Sequence, residues 1–500
     1  MEKKHLLKQR AGGILLHPTS LPSGFGIGDL GPSAYSFIDF LEVSKQKLWQ
    51  ILPLGPTGYG DSPYQCFSAF AGNPILISPE LLKGDGYLEK RDLADYRQTD
   101  SMRIDFGQVI KQKHTLFAKS FLNFSEQINN QNNEDYNVFI QDNQYWLDDY
   151  SLFMALKEKF ELNSWNQWPD NFKQKKQILI TENHISSRIE YYKFLQFIFF
   201  KQWLSLKKYA NQKGIAIIGD LPIFVAADSS DVWAKPELFD LDQKGNPIHI
   251  AGVPPDYFSE TGQLWGNPLY SWQFMKNNDY EWWKKRIAFL LKIYDIIRID
   301  HFRGFAAFWQ VPGNESTAIN GKWIKGPGAD FFQAMKKHFD FLPFIAEDLG
   351  YITDDVYELR DQFDFPGMSV LHFAFIGGEY RAKNYLPHNL KSNSVLYTGT
   401  HDNDTTFGWY KTLNRADRDY LHNYLNTSEE NVVWALIQLA YASVANSVII
   451  PMQDILLLDS DARMNNPGIE HGNWQFRFTD NMLEEKISLK LIHLAELYER

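Results

Sequence analysis

This 500-residue chain has a single cysteine, Cys66, and no long uninterrupted hydrophobic run. One cysteine excludes an internal disulfide and fits a reducing compartment. The first residues, MEKKHLLKQRAGG, carry charge without an apolar stretch, so they do not resemble a secretory signal. The apolar stretch FLQFIFFKQWLSLKKYA is interrupted by Lys201 and is too short to cross a bilayer. These features predict a cytoplasmic protein with no membrane partner.

The chain also lacks an excess of positive charge. Lys and Arg total 50 against 61 Asp and Glu, which gives a net charge of -11. Nucleic acids and anionic membranes bind basic surfaces, so neither is predicted as a main partner. Aromatic residues, in contrast, are abundant, with 15 Trp, 25 Tyr and 37 Phe. Aromatic rings serve as core or as platforms for sugar rings, and composition alone favours the core.

Eight short apolar runs recur along the chain, often with a helical pattern before the next one. They are GGILLHPTSL (12–21), LWQILPLGP (48–56), GIAIIGDLPIF (214–224), IIRIDHF (296–302), PFIAEDLG (343–350), SVLHFAF (369–375), SVLYTGTHDND (394–404) and SVIIPMQDILLL (447–458). Apolar strands that alternate with amphipathic helices indicate a parallel sheet covered by helices. Eight units predict an α/β fold, a (β/α)8 TIM barrel forming one catalytic domain over residues 1–500. The alternative, a doubly wound open sheet, is disfavoured because no Gly-rich dinucleotide fingerprint follows any run.

Two gaps between these runs are too long for simple connections. Residues 75–190, after the second run, are polar and helix-patterned, which predicts a mainly helical insertion. Residues 225–280, after the third run, are rich in Pro, Gly and Trp, which predicts a loop-rich insertion. Both follow the C-terminal end of a strand. We therefore expect both above the barrel mouth, where they would shape a substrate cleft.

Charged residues lie where several of the runs end. They include Asp220, Arg298, Asp300, His301, Glu347, His401 and Asp402. Any one acid alone is more often a helix cap or an ion pair, but the strand ends of a barrel meet at one mouth. A convergent acid cluster suits either divalent-metal binding or glycoside cleavage by a nucleophile and an acid. The metal motifs HExxH and HxxEH and paired cysteines are absent from the sequence.

Arg298 and Asp300 have the same parity in their strand, so both side chains point to one face. This placement predicts that Arg298 keeps Asp300 ionised, with a lowered pKa. The apolar strand before Glu347 predicts the opposite shift, a raised pKa for that carboxyl.

Several longer strings resemble the amylomaltases, the 4-α-glucanotransferases related to α-amylases. GDLPIFVAADSSDVW, RIDHFRGF, AEDLG and YTGTHDNDTTFGW resemble the strand ends of that family. GYGDSPYQCFSAFAGNP, VPPDYFSETGQLWGNPLYSW and MNNPGIEHGNWQFR resemble its loops. The resemblance extends from about residue 12 to the C-terminus. One departure is His372, where the family pattern has Gln.

The resemblance implies roles for individual residues. Asp300 would be the nucleophile, Glu347 the general acid/base and Asp402 the transition-state stabiliser. The residues expected around the donor sugar are Ser62, Tyr64, Asp220, Arg298, His301 and His401. The lid over the acceptor side would contribute Asp256, Gln263 and Trp265.

The implied activity is that of a retaining 4-α-glucanotransferase without cofactor or metal. It would move segments of α-1,4-glucan, as in maltooligosaccharides, starch or glycogen fragments, to a glucose or maltooligosaccharide acceptor through a covalent intermediate. The residues alone leave open an α-glucan hydrolase of the amylase type or a non-catalytic glucan-binding protein. They also leave open whether the protein is a monomer or a weak dimer.

Overall fold

The computed structural model describes residues 6–94, 102–130, 133–175, 183–255, 259–378, 382–469 and 471–500. Within these ranges the chain forms twelve strands: β1 Ala11–Leu15, β2 Leu48–Gln50, β3 Ala216–Pro222, β4 His249–Val253, β5 Gln263–Pro268, β6 Ile296–Asp300, β7 Ala307–Pro312, β8 Lys322–Lys325, β9 Phe344–Ala346, β10 Gly367–Val370, β11 Ser394–Tyr397 and β12 Ser447–Pro451.

The α-helices of the same ranges are α1 Pro32–Val43, α2 Pro79–Gly84, α3 Phe106–Asn130, α4 Glu134–Lys159, α5 Asp170–Lys173, α6 Asn183–Gln212, α7 Ser230–Ala234, α8 Trp272–Asn277, α9 Glu281–Ile293, α10 Gly328–His338, α11 Asp354–Gln362, α12 Leu371–Ala374, α13 Thr406–Thr412, α14 Arg415–Leu425, α15 Val432–Ala442, α16 Met452–Ile455 and α17 Glu485–Leu497. None of the helices in the part of the chain described is long and apolar enough to cross a membrane.

Eight of the strands close into a barrel in the order β1-β12-β11-β10-β9-β6-β3-β2. Every neighbouring pair in this barrel is parallel. The prediction of a (β/α)8 barrel is confirmed, and each predicted run contains residues of one barrel strand. The run 369–375 is mostly not strand, since β10 ends at Val370 and the following residues form α12.

The strands are apolar along most of their length because both barrel faces are covered. In β6, for example, Ile296, Ile297 and Ile299 are buried, and Asp300 at the end is partly exposed. One glycine in β3 is required by close packing. A Cβ on Gly219 would overlap the ring of Tyr294, which lies directly against the strand beside Asp220.

The long connections after β2 and β3 contain most of the additional structure. Helices α2 to α6 lie between β2 and β3, and α4 packs along α6. A second sheet with antiparallel order β5-β4-β7-β8 combines two connections, because β4 and β5 follow β3, whereas β7 and β8 follow β6. The sequence pattern does not predict this small sheet. The insertion boundaries 75–190 and 225–280 remain predictions.

Candidate active site

Three adjacent barrel strands place the central acids. In the parallel pairing of β3 with β6, Asp220 is level with Arg298. In the parallel pairing of β6 with β9, Ile299 is in register with Ala346. The next residues in sequence are Asp300 and Glu347, so these two acids lie side by side at the strand ends. The Glu347 N–H continues the ladder by donating to the Ile299 carbonyl at 3.1 Å. Adjacent strands are about 4.8 Å apart, so the two carboxyl groups flank one narrow space.

Arg298 is the buried cation of this group, 3% exposed. Its Nη1 donates to both oxygens of Asp220, at 2.8 and 2.7 Å, and to Oδ1 of Asp300 at 2.9 Å. The side chains of Arg298 and Asp300 therefore share a face, as their parity predicts. One guanidinium nitrogen serves two carboxylates, which divides its charge between them.

The pKa of Asp300 corrects one expectation. Burial raises the pKa of this carboxyl to about 8, and repulsion from Asp220, Glu347 and Asp402 adds to the rise. Arg298 lowers the pKa, but by less than burial raises it. The prediction that Arg298 gives Asp300 a lowered pKa is therefore wrong for this site. The physical reason is that Arg298 is shared with Asp220 and the cluster is mostly shielded from water.

Glu347 lies beside the turn that follows β6. Its Oε2 accepts from the backbone N–H of His301 at 2.7 Å, and its Oε1 accepts from the N–H of Leu349 at 3.0 Å. Burial raises the pKa of Glu347, while Arg298 and the two N–H groups oppose the rise. The raised pKa of Glu347 is the shift that the apolar strand predicts.

His301 has a left-handed backbone, with φ of 53°, which is uncommon for a residue other than glycine. Burial lowers the pKa of His301 to about 3, so its imidazole is neutral at neutral pH. Its buried Nε2 has no hydrogen-bond partner among the described residues. Nε2 of His301 is therefore available to form a hydrogen bond with a ligand in the space beside Glu347.

Tyr64 connects β3 to the loop after β11. Its hydroxyl donates to Oδ2 of Asp220 at 2.8 Å and lies 2.9 Å from Nε2 of His401. Because the hydroxyl has one proton and gives it to Asp220, Nε2 of His401 is the donor to Tyr64. The two rings stack with centroids 5.3 Å apart, and Ser62 Oγ accepts from the Tyr64 N–H at 3.3 Å.

Asp402 is on the same loop as His401, and its side chain is 44% exposed. Its Oδ1 lies 3.3 Å from Nε2 of His401 and accepts from Nδ2 of Asn465 at 2.7 Å. Arg463 donates to the Asp402 backbone carbonyl at 2.6 Å. Trp474 lies with its ring centroid 5.9 Å from that of Tyr64.

Arg463, Asn465 and Trp474 are not among the residues that the strand-end pattern or the family resemblance predicts for the site. The string MNNPGIEHGNWQFR contains a signal that points to Asn465 and Trp474, because it places amide side chains and a Trp among Gly and Pro residues. The same signal in GQLWGNP points to Trp265.

Trp265 and Gln263 lie on β5 of the small sheet. The edge of the Trp265 ring meets His301 with centroids 4.8 Å apart and planes at 88°. Its Nε1 donates to Oε1 of Gln263 at 3.2 Å. These contacts bring the loop-rich connection to the acid cluster. Asp256, predicted in the same lid, lies outside the described residues.

Two buried residues near the strand ends have structural contacts. Asp348 is buried, accepts from the Met368 N–H at 2.7 Å and pairs with Arg360. His372 is 2% exposed and stacks on Trp409 with centroids 4.3 Å apart. The departure from the family pattern at His372 therefore lies inside the molecule. Within the described ranges, no group of three or more His, Cys, Asp or Glu side chains is arranged to hold a metal ion.

The barrel is closed and parallel, with two carboxyls side by side on adjacent strand ends and a third on a neighbouring loop. This combination is typical of (β/α)8 enzymes of the glycoside-cleaving class. Comparison with known proteins makes the assignment more specific. A family model described as 4-alpha-glucanotransferase matches residues 16–483. The 4-alpha-glucanotransferase of Synechocystis sp. is 49% identical over 501 residues, which span 99% of this chain and 99% of the relative.

The 4-alpha-glucanotransferase of Clostridium butyricum is 47% identical over 491 residues, which span 97% of this chain and 100% of the relative. Among solved structures, amylomaltase from Streptococcus agalactiae in complex with acarbose has a TM-score of 0.94 at 40% identity, covering 98% of this chain and 100% of that one. The chain belongs to the 4-alpha-glucanotransferase family, a class of enzymes that act on α-1,4-glucans.

Proposed function

We propose that this protein transfers segments of α-1,4-glucan by a retaining mechanism in which Asp300 becomes covalently glycosylated. The observation that carries the proposal is the level placement of Asp300 and Glu347 on adjacent strands. Retaining enzymes need two carboxyls about 5 Å apart, close enough for one to attack the sugar while the other protonates the leaving oxygen.

In the first step Glu347 gives its proton to the glycosidic oxygen, and Asp300 attacks the anomeric carbon. The carbon–oxygen bond to the leaving glucan breaks, and that glucan departs with a 4-hydroxyl. Positive charge develops on the sugar ring, and Asp402 holds the ring hydroxyls and stabilises that charge. Tyr64 and His401 position the donor sugar against Asp300.

In the second step a glucan or glucose acceptor approaches with its 4-hydroxyl toward Glu347. Glu347 takes the hydroxyl proton, the oxygen attacks the anomeric carbon, and the bond to Asp300 breaks. Two inversions leave an α-1,4 bond, and both carboxyls return to their starting states. The products are a lengthened acceptor and the shortened glucan released in the first step.

The proposed roles set a condition on which carboxyl of the pair holds the proton. Burial raises the pKa values of both Asp300 and Glu347, so the pair retains a proton at higher pH than separate carboxyls would. Catalysis requires that proton on Glu347 and a charge on Asp300. Two backbone N–H groups favour the charged form of Glu347, and burial raises the pKa of Asp300, so binding of the donor must place the shared proton on Glu347 before the first step.

Transfer instead of hydrolysis requires an acceptor sugar to reach the intermediate before water does. Trp265 and Gln263 lie on the side of the acid cluster occupied by His301, and Trp474 lies on the side of Tyr64. We assign the acceptor-side lid to residues 225–280, including Asp256, and the helical insertion to residues 75–190. The donor subsite would comprise Ser62, Tyr64, Asp220, Arg298, His301 and His401.

The central test uses Glu347→Gln with an activated glycosyl fluoride donor. The fluoride leaves without acid help, so the first step proceeds while the second, which needs a base, stalls. Mass spectrometry should detect a glycosyl group on the peptide containing Asp300, and none in the double variant Glu347→Gln/Asp300→Asn. A glycosyl group on another residue would overturn the assignment of the nucleophile.

Product analysis with maltotriose separates the rival activities. A transferase yields glucose together with chains longer than maltotriose. A hydrolase of the amylase type yields shorter sugars without longer ones, and a glucan-binding protein leaves maltotriose unchanged. We expect the same products with excess chelator, because the proposed steps use carboxyl groups alone. We also propose that the reaction takes place in the cytoplasm.

A further inference from the structure

The loop that carries His401 and Asp402 is tied at both ends by one buried carboxylate. Thr398 directly follows β11, and Thr406 begins α13. The hydroxyl groups of both threonines donate to Oδ2 of Asp454, each at 2.6 Å. The backbone N–H of Thr406 donates to Oδ1 of Asp454 at 2.7 Å. Asp454 belongs to α16, the short helix that follows the neighbouring strand β12.

These groups are shielded from solvent. Asp454 is 1% exposed, and both threonines are 0% exposed. Burial raises the pKa of Asp454, and the three donated hydrogen bonds oppose that rise by favouring the ionised form. Hydrogen bonds to a buried carboxylate are short and strong, so the two ends of the loop are held in a fixed relation to each other.

A third contact supports the loop from α12, the short helix that follows β10. The hydroxyl of Thr406 gives its proton to Asp454, so its oxygen accepts from Nε2 of His372 at 2.9 Å. The His372 ring also lies against the loop backbone, because a Cβ on Gly399 would come within 2.8 Å of the ring. A cavity of about 20 Å³ remains between Asp454 and the loop, and its lining includes His401. It has room for about one water molecule.

We propose that Asp454 is a positioning residue for the transfer reaction. By fixing both ends of the loop, Asp454 would hold Asp402 and His401 where they contact the donor sugar. The inference rests on the roles proposed above for those two residues. The hydrogen bonds of Asp454 described above are to Thr398 and Thr406, at the two ends of the loop, so it would act on Asp402 and His401 through the loop backbone. A displacement of about 1 Å in a catalytic group lowers a rate by about 100-fold, so loss of this tie should reduce turnover strongly.

The first experiment compares Asp454→Asn with Asp295→Asn. Asp295 is an equally buried carboxylate at the opposite end of the barrel, where its Oδ2 accepts from the Ile217 N–H at 2.9 Å. An asparagine has the same shape but accepts through one oxygen, so its NH2 group must face either the two threonine hydroxyls or the Thr406 N–H, and one end of the tie loses its acceptor. With maltotriose as substrate, we expect kcat of Asp454→Asn to fall about 100-fold and KM to stay within about threefold.

Asp295→Asn should lower the melting temperature and leave kcat within about twofold of the parent protein. The proposal is overturned if Asp454→Asn keeps the parent kcat, or if Asp295→Asn loses kcat to the same extent. If neither the wild type nor any variant transfers maltotriose, the proposed function fails instead, so the two failures are distinguishable.

A milder pair of variants keeps the test informative if Asp454→Asn does not fold. Thr398→Val preserves the shape of the side chain and removes its hydroxyl, whereas Thr398→Ser keeps the hydroxyl and removes a methyl group. Serine should keep kcat near the parent value, and valine should lower it about tenfold. Equal kcat values for the two variants would contradict a role for the hydrogen bond.

A double-mutant cycle tests whether Asp454 acts through the loop. His401→Ala removes a residue on the loop, and Gln263→Ala removes a site residue on β5. Combined with Asp454→Asn, His401→Ala should give a smaller loss of kcat/KM than the product of the single losses, whereas Gln263→Ala should give about the product. The reverse pattern would show that Asp454 does not act through this loop.

Discussion

The two ends of strands β3 and β6 each carry a mostly buried charged cluster, and the clusters differ in how their polar atoms are satisfied. At the floor of the barrel, Asp295 Oδ2 accepts from the Ile217 N–H at 2.9 Å and from Asn211 at 2.8 Å. The Lys207 ammonium lies 3.2 Å from Oδ1 of Asp295 and donates to the Tyr294 carbonyl at 3.0 Å. At this end the Asp295 carboxylate is paired with the Lys207 ammonium, and backbone groups provide further hydrogen bonds to both.

At the mouth, Asp220 and Asp300 share the guanidinium of Arg298, with Glu347 nearby. Two buried nitrogens, Nε of Arg298 and Nε2 of His301, have no hydrogen-bond partner within the described ranges. Buried polar groups in proteins are almost always paired, so such atoms need an explanation. The floor satisfies its own polar groups, whereas the mouth leaves these two nitrogens without partners, and we propose that a bound sugar satisfies Nε2 of His301.

The largest expected contrast comes from removing one charged member of each cluster. Lys207→Met leaves Asp295 as an unpaired buried charge, so the free energy of unfolding should fall by about 3–5 kcal/mol while kcat of the folded protein is unchanged. Asp300→Asn should instead reduce transfer from maltotriose on the order of 10⁴-fold or more, as loss of a nucleophile does, without such destabilisation. Urea unfolding and initial rates measure both, and similar losses of kcat in the two variants would remove the distinction.

The second contrast is in the dependence of stability on pH. The pKa of Asp300 rises from 3.8 to about 8 on folding, so the folded state binds more protons between these values. Its stabilising contribution is present below pH 3.8 and is lost as the pH rises through about 8. The melting temperature of Asp300→Asn, relative to wild type, should therefore increase from pH 5 to pH 8.5. A constant difference across this range would show that the pKa of Asp300 is not raised.

A third, smaller contrast compares one neutral polar side chain at each end. His301→Asn keeps a residue that tolerates the left-handed backbone but removes the imidazole, so KM for maltotriose should rise about tenfold. Asn211→Ala at the floor removes the donor to Asp295 and should lower the free energy of unfolding by about 0.5–1.5 kcal/mol. Each variant should leave the other quantity nearly unchanged. A stability loss in His301→Asn as large as that in Asn211→Ala would contradict the comparison.

The last contrast uses two tryptophans and has the smallest expected change in KM. Trp265→Phe keeps a ring against His301 and loses the hydrogen bond to Gln263, so KM for a glucose acceptor should rise about two- to fivefold with little change in stability. Trp203→Phe loses the hydrogen bond from Nε1 to the Ile293 carbonyl, 3.1 Å long and fully buried. We expect it to lower the free energy of unfolding by about 1–3 kcal/mol without changing KM. An unchanged acceptor KM in Trp265→Phe would exclude this tryptophan from the acceptor site.

The barrel could be predicted from the sequence because its strands are covered on both faces. Such strands are continuous apolar runs, and runs like IIRID and SVLY remain recognisable without any knowledge of their neighbours. The small antiparallel sheet was missed for the opposite reason. Its strands β7 (AFWQVP) and β8 (KWIK) are short, partly exposed and polar at intervals, and β7 pairs with a strand from a different connection.

Within the site, the placement of the strand-end acids follows from topology, since a parallel barrel brings its C-terminal strand ends together. The contact of Asn465 with Asp402 could not be predicted in this way, because it depends on the path of a loop that is not part of the barrel. The pKa of Asp300 was mispredicted because parity reveals that Arg298 is near but not that Asp220 shares it. The pKa of a buried carboxyl depends on all the charged groups around it, and the sequence of a single strand reveals only some of these groups.

Closure of the barrel has a consequence for synthesis of the protein on the ribosome. Ala11 in β1 pairs with Ser447 in β12. A strand that is synthesised early therefore has no partner on one edge until a strand near the end of the chain has been synthesised. Until β12 arrives, β1 and β11 each present an open edge with unpaired backbone groups, the kind of surface that recruits strands from other chains. We therefore expect nascent chains that stop before β12 to depend on chaperones and to aggregate readily, whereas chains that include it close their own sheet.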